Sequence, residues 1–220
     1  TDPTTGLCIL EESVGKLQYL HAQGRFCKDL KYSEIIKSIK SYLPKTEVIS
    51  IDGPLTLGKG KGLLRLYEKF LTTQTFRDEK VAPLPPAFLP ELSTGGRELV
   101  GKLKKFNFVL NKNLIETFVS LVNKVCPDNF LLQFLGDRNF QTEFTFPCQV
   151  SKHQKSALIC ALVAFLHSAQ KTSYLGYKDG LLFLPKISFW KPEWQEKFYQ
   201  EWQKRDRLRY HLLETSLFSN

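Results

Sequence analysis

The sequence lacks the patterns of a membrane-spanning, disulfide-linked or zinc-binding protein. Its longest apolar run, residues 157–166, is about half the length that crosses a bilayer. The 5 cysteines lie far apart without a Cys-x-x-Cys pair, and only 4 histidines accompany them, so reduced, buried thiols are expected. No cleavable signal pattern opens the chain. These absences predict a soluble, cytoplasmic protein that does not contact a membrane.

What is present is a basic chain of ordinary apolar content. Its 220 residues suffice for one buried core, and the 42% hydrophobic and 24% charged residues are typical of globular domains. The net charge of +9 is compatible with nucleic acid as a partner. Net charge alone does not separate a nucleic-acid-binding protein from other basic proteins, because no base-reading motif is present.

The apolar spacing predicts strands and helices that alternate along the chain. Hairpins are predicted where residues 7–10 meet 16–21 around an acidic turn, and where 174–176 meet 181–184. Further strands are predicted over 46–51 and 113–119, and helices over 32–43, 63–72, 97–106, 121–125, 154–169 and 192–217. The predicted class is therefore α/β, with a mixed sheet flanked by helices and a helical C-terminal extension.

Three acids lie in or beside predicted strands. Asp2 opens the stretch Asp-Pro-Thr-Thr-Gly before an apolar run, Asp52 ends a β-branched run, and Glu116 lies within the strand predicted over 113–119. An unpaired acid is costly in an apolar strand. Several converging carboxylates can hold the Mg²⁺ or Mn²⁺ ions that support phosphodiester cleavage. Each acid taken alone is also explained by a strand end, a turn cap or an ion pair with a lysine.

Five short segments also occur in an order that is similar to a known family. They are Asp2-Pro3-Thr4-Thr5-Gly6-Leu7, Ile51-Asp52-Gly53-Pro54-Leu55, Leu114-Ile115-Glu116-Thr117-Phe118, the helix start His153-Gln154-Lys155-Ser156-Ala157, and the glycine turn, strand and proline of residues 176–185. The chain in this respect resembles an uncharacterised family of predicted nucleases with an RNase H-like fold. The resemblance covers most of residues 1–185.

The resemblance implies an RNase H-like domain over residues 1–186, with an aromatic and basic helix of residues 187–220 packed on it. It implies a metal-dependent nuclease in which Asp2, Asp52 and Glu116 are the catalytic ligands of Mg²⁺ or Mn²⁺. His153 is a further catalytic candidate, as a ligand or a proton carrier.

Three lysines are the candidates for contact with a nucleic acid substrate: Lys59, Lys61 and Lys155. The closing helix of such nucleases commonly offers another acid, whereas this chain has Lys155 and Ser156 there. The alternative is therefore a catalytically inactive RNase H-fold module that binds nucleic acid or a protein partner.

Two other patterns suggest different functions. Residues 53–60 nearly match a phosphate-binding P-loop, but Gly60 stands where a Mg²⁺-binding Ser or Thr is required. The stripe Trp194, Phe198 and Trp202 is typical of a helix packed on a core or on a second subunit, and less typical of base stacking. An oligomer formed through the C-terminal helix is compatible with this stripe.

Overall fold

The β-branched and apolar runs of the chain form strands of one mixed sheet, in which the run that ends at Asp52 is the edge strand. The computed structural model describes residues 4–13, 16–19, 28–31, 34–59, 61–127, 141–142, 151–205 and 210–218. Strands β1–β10 are Thr4–Leu7, Leu10–Ser13, Lys16–Tyr19, Lys28–Lys31, Ile49–Asp52, Leu114–Thr117, Gln141–Thr142, Thr172–Tyr177, Gly180–Pro185 and Glu214–Thr215. Helices α1–α7 are Ile35–Ile39, Leu66–Phe70, Gln74–Asp78, Pro90–Lys104, Val119–Val125, Lys152–Ser168 and Pro192–Gln203. The predicted α/β class with a mixed sheet flanked by helices is confirmed.

The main sheet has five strands in the order β10-β8-β9-β6-β5. Strands β5, β6 and β9 are parallel neighbours, and β8 is antiparallel to β9 and β10. The register pairs Ile51 with Glu116 and Asp52 with Thr117. Because successive side chains of a strand point to opposite faces, Glu116 shares one face with Ile51, and Asp52 shares the other with Thr117.

Helices cover both faces of the sheet near β5. On the Glu116 face, α1 and α4 join one core cluster with the sheet, to which they contribute Ile35, Ile39, Leu99 and Leu103. On the Asp52 face lies α6, which contacts β5 and β6. A capping box between Ser151 and Gln154 starts α6 close to its predicted position.

The predicted hairpin around residues 178–180 is present, since β8 pairs with β9 around Lys178 and Asp179. The first hairpin has a different first strand from the predicted residues 7–10. It is formed by β2 and β3, and β2 includes Glu11 and Glu12, which were predicted to lie in the turn. Leu7 lies in β1 instead and pairs with Lys28. Two small sheets, β1-β4 and β2-β3-β7, accompany the main one.

The helix α4 begins well before its predicted start at residue 97. Pro90 occupies the first turn, a position that proline favours because its missing N–H is not needed there. The part before residue 97 was not predicted as helix because it contains Gly95 and Gly96, which are poor helix formers. Gly96 is required by packing, since a Cβ atom there would lie 2.5 Å from the carbonyl oxygen of Pro54.

The C-terminal helix is shorter than predicted. It ends at Gln203, and residues 214–215 form the edge strand β10 beside β8. Trp194 and Phe198 are buried in the core and are not available to stack on bases, while Trp202 is half-buried against it. In the described part of the chain no helix is long and apolar enough to cross a bilayer.

Candidate functional site

Asp52 and Glu116 lie on neighbouring strands but on opposite faces of the sheet. Asp52 is the last residue of β5, and Glu116 pairs in register with the residue before it. The two carboxylates are therefore separated by the sheet itself and do not converge on one cation. This placement corrects the expectation that Glu116 completes a metal site with Asp52.

Glu116 is buried and saturated with hydrogen bonds. Its Oε1 atom accepts from Arg65 Nη2 at 2.7 Å and from the Tyr67 hydroxyl at 2.6 Å. Its Oε2 atom accepts from Arg65 Nη1 and from the backbone N–H of Leu55 at 2.9 Å. The bidentate pairing with Arg65 is the geometry that binds a carboxylate most specifically. Each carboxylate oxygen of Glu116 thus accepts two hydrogen bonds, which leaves no lone pair for a metal ion or a substrate.

Arg65 is the central cation of this cluster. Its side chain is 1% exposed, and it also donates to Glu68 at 2.6 Å. Burial acts to lower the pKa of Arg65, but its ionic partners outweigh burial and raise that pKa above its ordinary value. Burial raises the pKa of Glu116, and the ion pair with Arg65 opposes that rise. The guanidinium of Arg65 thus pairs with two buried carboxylates, those of Glu68 and Glu116, and offsets part of their charge.

The turn between β8 and β9 holds the segment that carries Arg65. Asp179 Oδ2 accepts the backbone N–H of Leu66 at 2.8 Å, and the Thr56 hydroxyl donates to the carbonyl oxygen of Asp179 at 2.7 Å. Gly180 has φ +156°, and a Cβ atom there would lie 2.4 Å from Thr56 Oγ1. This close approach requires glycine at the turn.

Sequence reasoning did not identify Arg65 and Tyr67. A signal existed, because Arg65 is the single charge in the run Leu63-Leu64-Arg65-Leu66-Tyr67. A buried arginine needs a buried acid, and Glu116 in its apolar strand was the matching partner.

Asp52 has a different environment. The residue is exposed at the end of β5, and its Oδ1 atom accepts the backbone N–H of Val119 at 3.2 Å. Surrounding protein atoms partly desolvate the carboxyl group and raise the pKa of Asp52, against the smaller effect of that hydrogen bond. Asp52 therefore retains acceptor capacity that Glu116 does not have.

Asp52 lines a cavity of about 960 Å³. The cavity extends along β5 and reaches His153 and Ser156 on α6 and Glu91 on α4. His153 is exposed in the first turn of α6. Asp52 and His153 thus border one space, as a shared site requires. Lys155 is exposed and is not part of the cavity wall.

The glycine loop after β5 is not a phosphate cradle. The N–H of Leu55 donates to Glu116, and the N–H of Gly58 donates to the carbonyl oxygen of Leu63 at 2.9 Å. These backbone donors point inward, whereas a P-loop directs them at phosphate. Lys59 and Lys61 are exposed and remain candidates for phosphate contact. Gly60 lies outside the described residues.

The described residues do not fit a two-metal centre. Within the described ranges no group of three or more His, Cys, Asp or Glu side chains is placed to hold a metal ion. Asp2 lies outside those ranges. Its pairing with Asp52 around Mg²⁺ or Mn²⁺ therefore stays a prediction.

Comparisons of the chain with protein-family models, with curated proteins and with solved structures found no match. No family is assigned.

Proposed function

We propose that this chain is a nucleic-acid-binding module on an RNase H-like fold, without a complete two-metal catalytic centre. The observation that carries the proposal is a basic helical layer, formed by α1, α4 and the turns after them. Its exposed cations are Lys37, Lys40, Lys45, Arg97, Lys102, Lys104, Lys105 and Lys112. None of them forms an ion pair with another described residue.

These cations outnumber the acids of the same segments, which are Glu34, Glu47, Glu91 and Glu98. A surface of this kind neutralises phosphates and releases their counterions, so binding is strong at low salt and weak at high salt. Contacts to phosphate position a nucleic acid but do not read its bases. The expected binding is therefore independent of sequence.

Two features support the inactive form of an RNase H-like module over the catalytic one. Glu116 is fully occupied by Arg65, Tyr67 and the Leu55 N–H. The first turns of α6 offer Lys155 and Ser156 where the nucleases that the chain resembles commonly have an acid. The RNase H-like part of the proposal rests on the segments that resemble the nuclease family, and the mixed sheet with its parallel β5–β6 pair is compatible with it.

The test is the binding of a fluorescently labelled oligonucleotide, followed by anisotropy at several salt concentrations. A variant with Gln at Lys102, Lys104 and Lys105 should bind more weakly. The slope of log K against log salt should fall by about one for each of these lysines that contacts a phosphate.

The matched control replaces Lys80, Lys178 and Lys186 with Gln. These lysines are also exposed, lie outside the basic helical layer, and their replacement changes the net charge equally. The control should keep most of the affinity. Equal losses in both variants, or no binding by the unaltered chain at low salt, would exclude the basic helical layer as the binding surface.

Metal-dependent phosphodiester cleavage is the second candidate function. It is favoured by the position of Asp52, which ends a parallel strand and borders the same cavity as His153. In this function Asp52→Asn abolishes Mn²⁺-dependent cleavage while oligonucleotide binding is retained. Absence of cleavage and of calorimetric Mn²⁺ uptake in the unaltered chain would leave the binding function alone.

A further inference from the structure

Strand β5 has a free edge in the described part of the chain. It pairs with β6 on one side only, and the cavity lies on its other side. The N–H of Ile49 donates to Asn113, the residue before β6. Peptide groups alternate in direction along a strand, so the N–H and C=O of Ser50 point away from β6 and toward the cavity.

The walls of the cavity come from the helices on both faces of the sheet. On the Asp52 face its wall is formed by small residues of α6, including Ala157, Cys160 and Ala161. On the Glu116 face its wall includes Ile35 and Leu99, from α1 and α4. Because these helical layers lie on the two faces of the sheet, the space between them continues the plane of the sheet past β5.

A second strand borders the cavity from another side. Residues 5–7 of β1 line it, and β1 pairs with β4 without pairing with β5. A chain placed between β1 and β5 would have strand backbone on both sides and apolar helices above and below. Strands in such a position are apolar on both faces.

The charge of the cavity lining indicates which kind of molecule the cavity favours. The carboxylates of Glu47, Asp52 and Glu91 lie in this lining, against the single lysine Lys45 and His153. This lining is acidic, although the chain as a whole carries a net charge of +9. Without a bound metal ion, this lining repels a polyanion and favours a neutral, apolar peptide that ends in a cation.

The geometry points to a binding site for one extended strand of a partner protein. The strand adds to the sheet through the backbone of Ser50, buries β-branched side chains against both walls, and places a lysine or arginine near Asp52 and Glu91. This is recognition by strand addition, in which the backbone supplies affinity and the walls supply specificity. It does not use Lys102, Lys104 or Lys105, the lysines of the basic helical layer that test the proposed function.

The probe is the labelled peptide acetyl-Val-Ile-Val-Ala-Val-Lys-amide, titrated with the full chain and followed by fluorescence anisotropy. Ser50→Pro removes the outward N–H while leaving the bonds between β5 and β6, since proline is tolerated on an edge strand. Ser50→Ala is the matched control. Both variants lose the 2.8 Å hydrogen bond between the hydroxyls of Ser50 and Thr117, but only the proline loses the N–H. The proline variant should bind about tenfold more weakly than the alanine variant.

Ala161→Phe tests the same site without altering β5. The added ring fills the cavity from α6, so peptide binding should be lost while the midpoint of thermal unfolding rises. This rise shows that the variant is folded. A probe with glutamate in place of its lysine should bind about tenfold more weakly to the unaltered chain because of the acidic lining.

Several results would overturn the inference. One is no saturable binding of the probe, and another is equal binding by the Ala161→Phe variant. Oligonucleotide binding that Ala161→Phe abolishes would make nucleic acid the occupant. A dimer of the unaltered chain, dissociated by Ala161→Phe in sedimentation analysis, would make a second copy the occupant. The lysine variants of the basic helical layer test the proposed function separately, so the two failures are distinguishable.

Discussion

Glu116 and Asp52 are two acids on adjacent parallel strands with opposite environments. Glu116 is enclosed, and its hydrogen-bond acceptors are taken by Arg65, Tyr67 and the Leu55 N–H. Asp52 borders a cavity and accepts a hydrogen bond from Val119. One residue of register puts them on different faces. A carboxylate whose acceptors are all used, such as that of Glu116, has a structural role in the core. A partly solvated carboxylate, such as that of Asp52, can still bind a ligand or a metal ion.

The largest effect is expected for Glu116→Ala. Removing one partner of a buried ion pair leaves Arg65 without its main counterion, which costs about 3–5 kcal/mol in the free energy of unfolding. Urea denaturation measures the loss. Glu98→Ala, at an exposed position of α4, is the control and should change stability by less than about 0.5 kcal/mol. A loss at Glu116 as small as in the control would show that its carboxylate is not structural.

Arg65→Lys should have a smaller effect. Lysine keeps the charge but cannot donate two parallel hydrogen bonds to one carboxylate, so part of Glu116 is left without a donor. The expected cost is about 1–3 kcal/mol in the free energy of unfolding. The same urea titration measures it. A lysine variant as stable as the unaltered chain would mean that charge, and not the forked geometry, holds Glu116.

Asp52→Asn should alter the pH dependence of stability. The raised pKa means that, as pH increases from the ordinary value of 3.8, the unfolded chain releases its proton before the folded chain does. The unaltered protein therefore loses stability over this interval relative to the asparagine variant. Midpoints of thermal unfolding between pH 3 and pH 7 test this. A constant difference between the two proteins would contradict a desolvated Asp52.

Glu79→Ala should have the smallest effect. Glu79 forms ion pairs with Lys124 and Lys197, and the hydrogen bond from Lys197 lowers the pKa of Glu79. Glu79 thus has two cationic partners, against the single cation Arg65 that pairs with Glu116, but both lysines are partly exposed to solvent. Ion pairs of this kind contribute about 0.2–1 kcal/mol. A loss as large as that of Glu116→Ala, in the same denaturation assay, would show that partner number matters more than burial.

Local patterns were sufficient to predict part of the fold. The β-branched run that ends at Asp52, the helix start at Ser151 and the Asp179-Gly180 turn each carry their signal within a few residues. All three appear near their expected positions as β5, α6 and the β8–β9 hairpin.

The environment of Glu116 could not be predicted in this way. Its partner Arg65 is 51 residues away along the chain. Which face Glu116 occupies depends on the register between β5 and β6, which no local pattern encodes. The predicted extent of the C-terminal helix was wrong for a related reason. Leu213 and Leu217 have helical spacing, but they are buried on either side of the short strand β10, which pairs with β8.

The turn between β8 and β9 lies at the surface, yet it touches the interior through Asp179. The Asp179 carboxylate accepts a hydrogen bond from the N–H of Leu66, and its carbonyl oxygen accepts one from the Thr56 hydroxyl. Thr56 and Leu66 lie on either side of the glycine loop, and Leu66 follows Arg65. A substitution at Gly180 would push on Thr56 and so displace the guanidinium from its carboxylate. Substitutions in this surface turn should therefore affect the buried ion pair between Arg65 and Glu116.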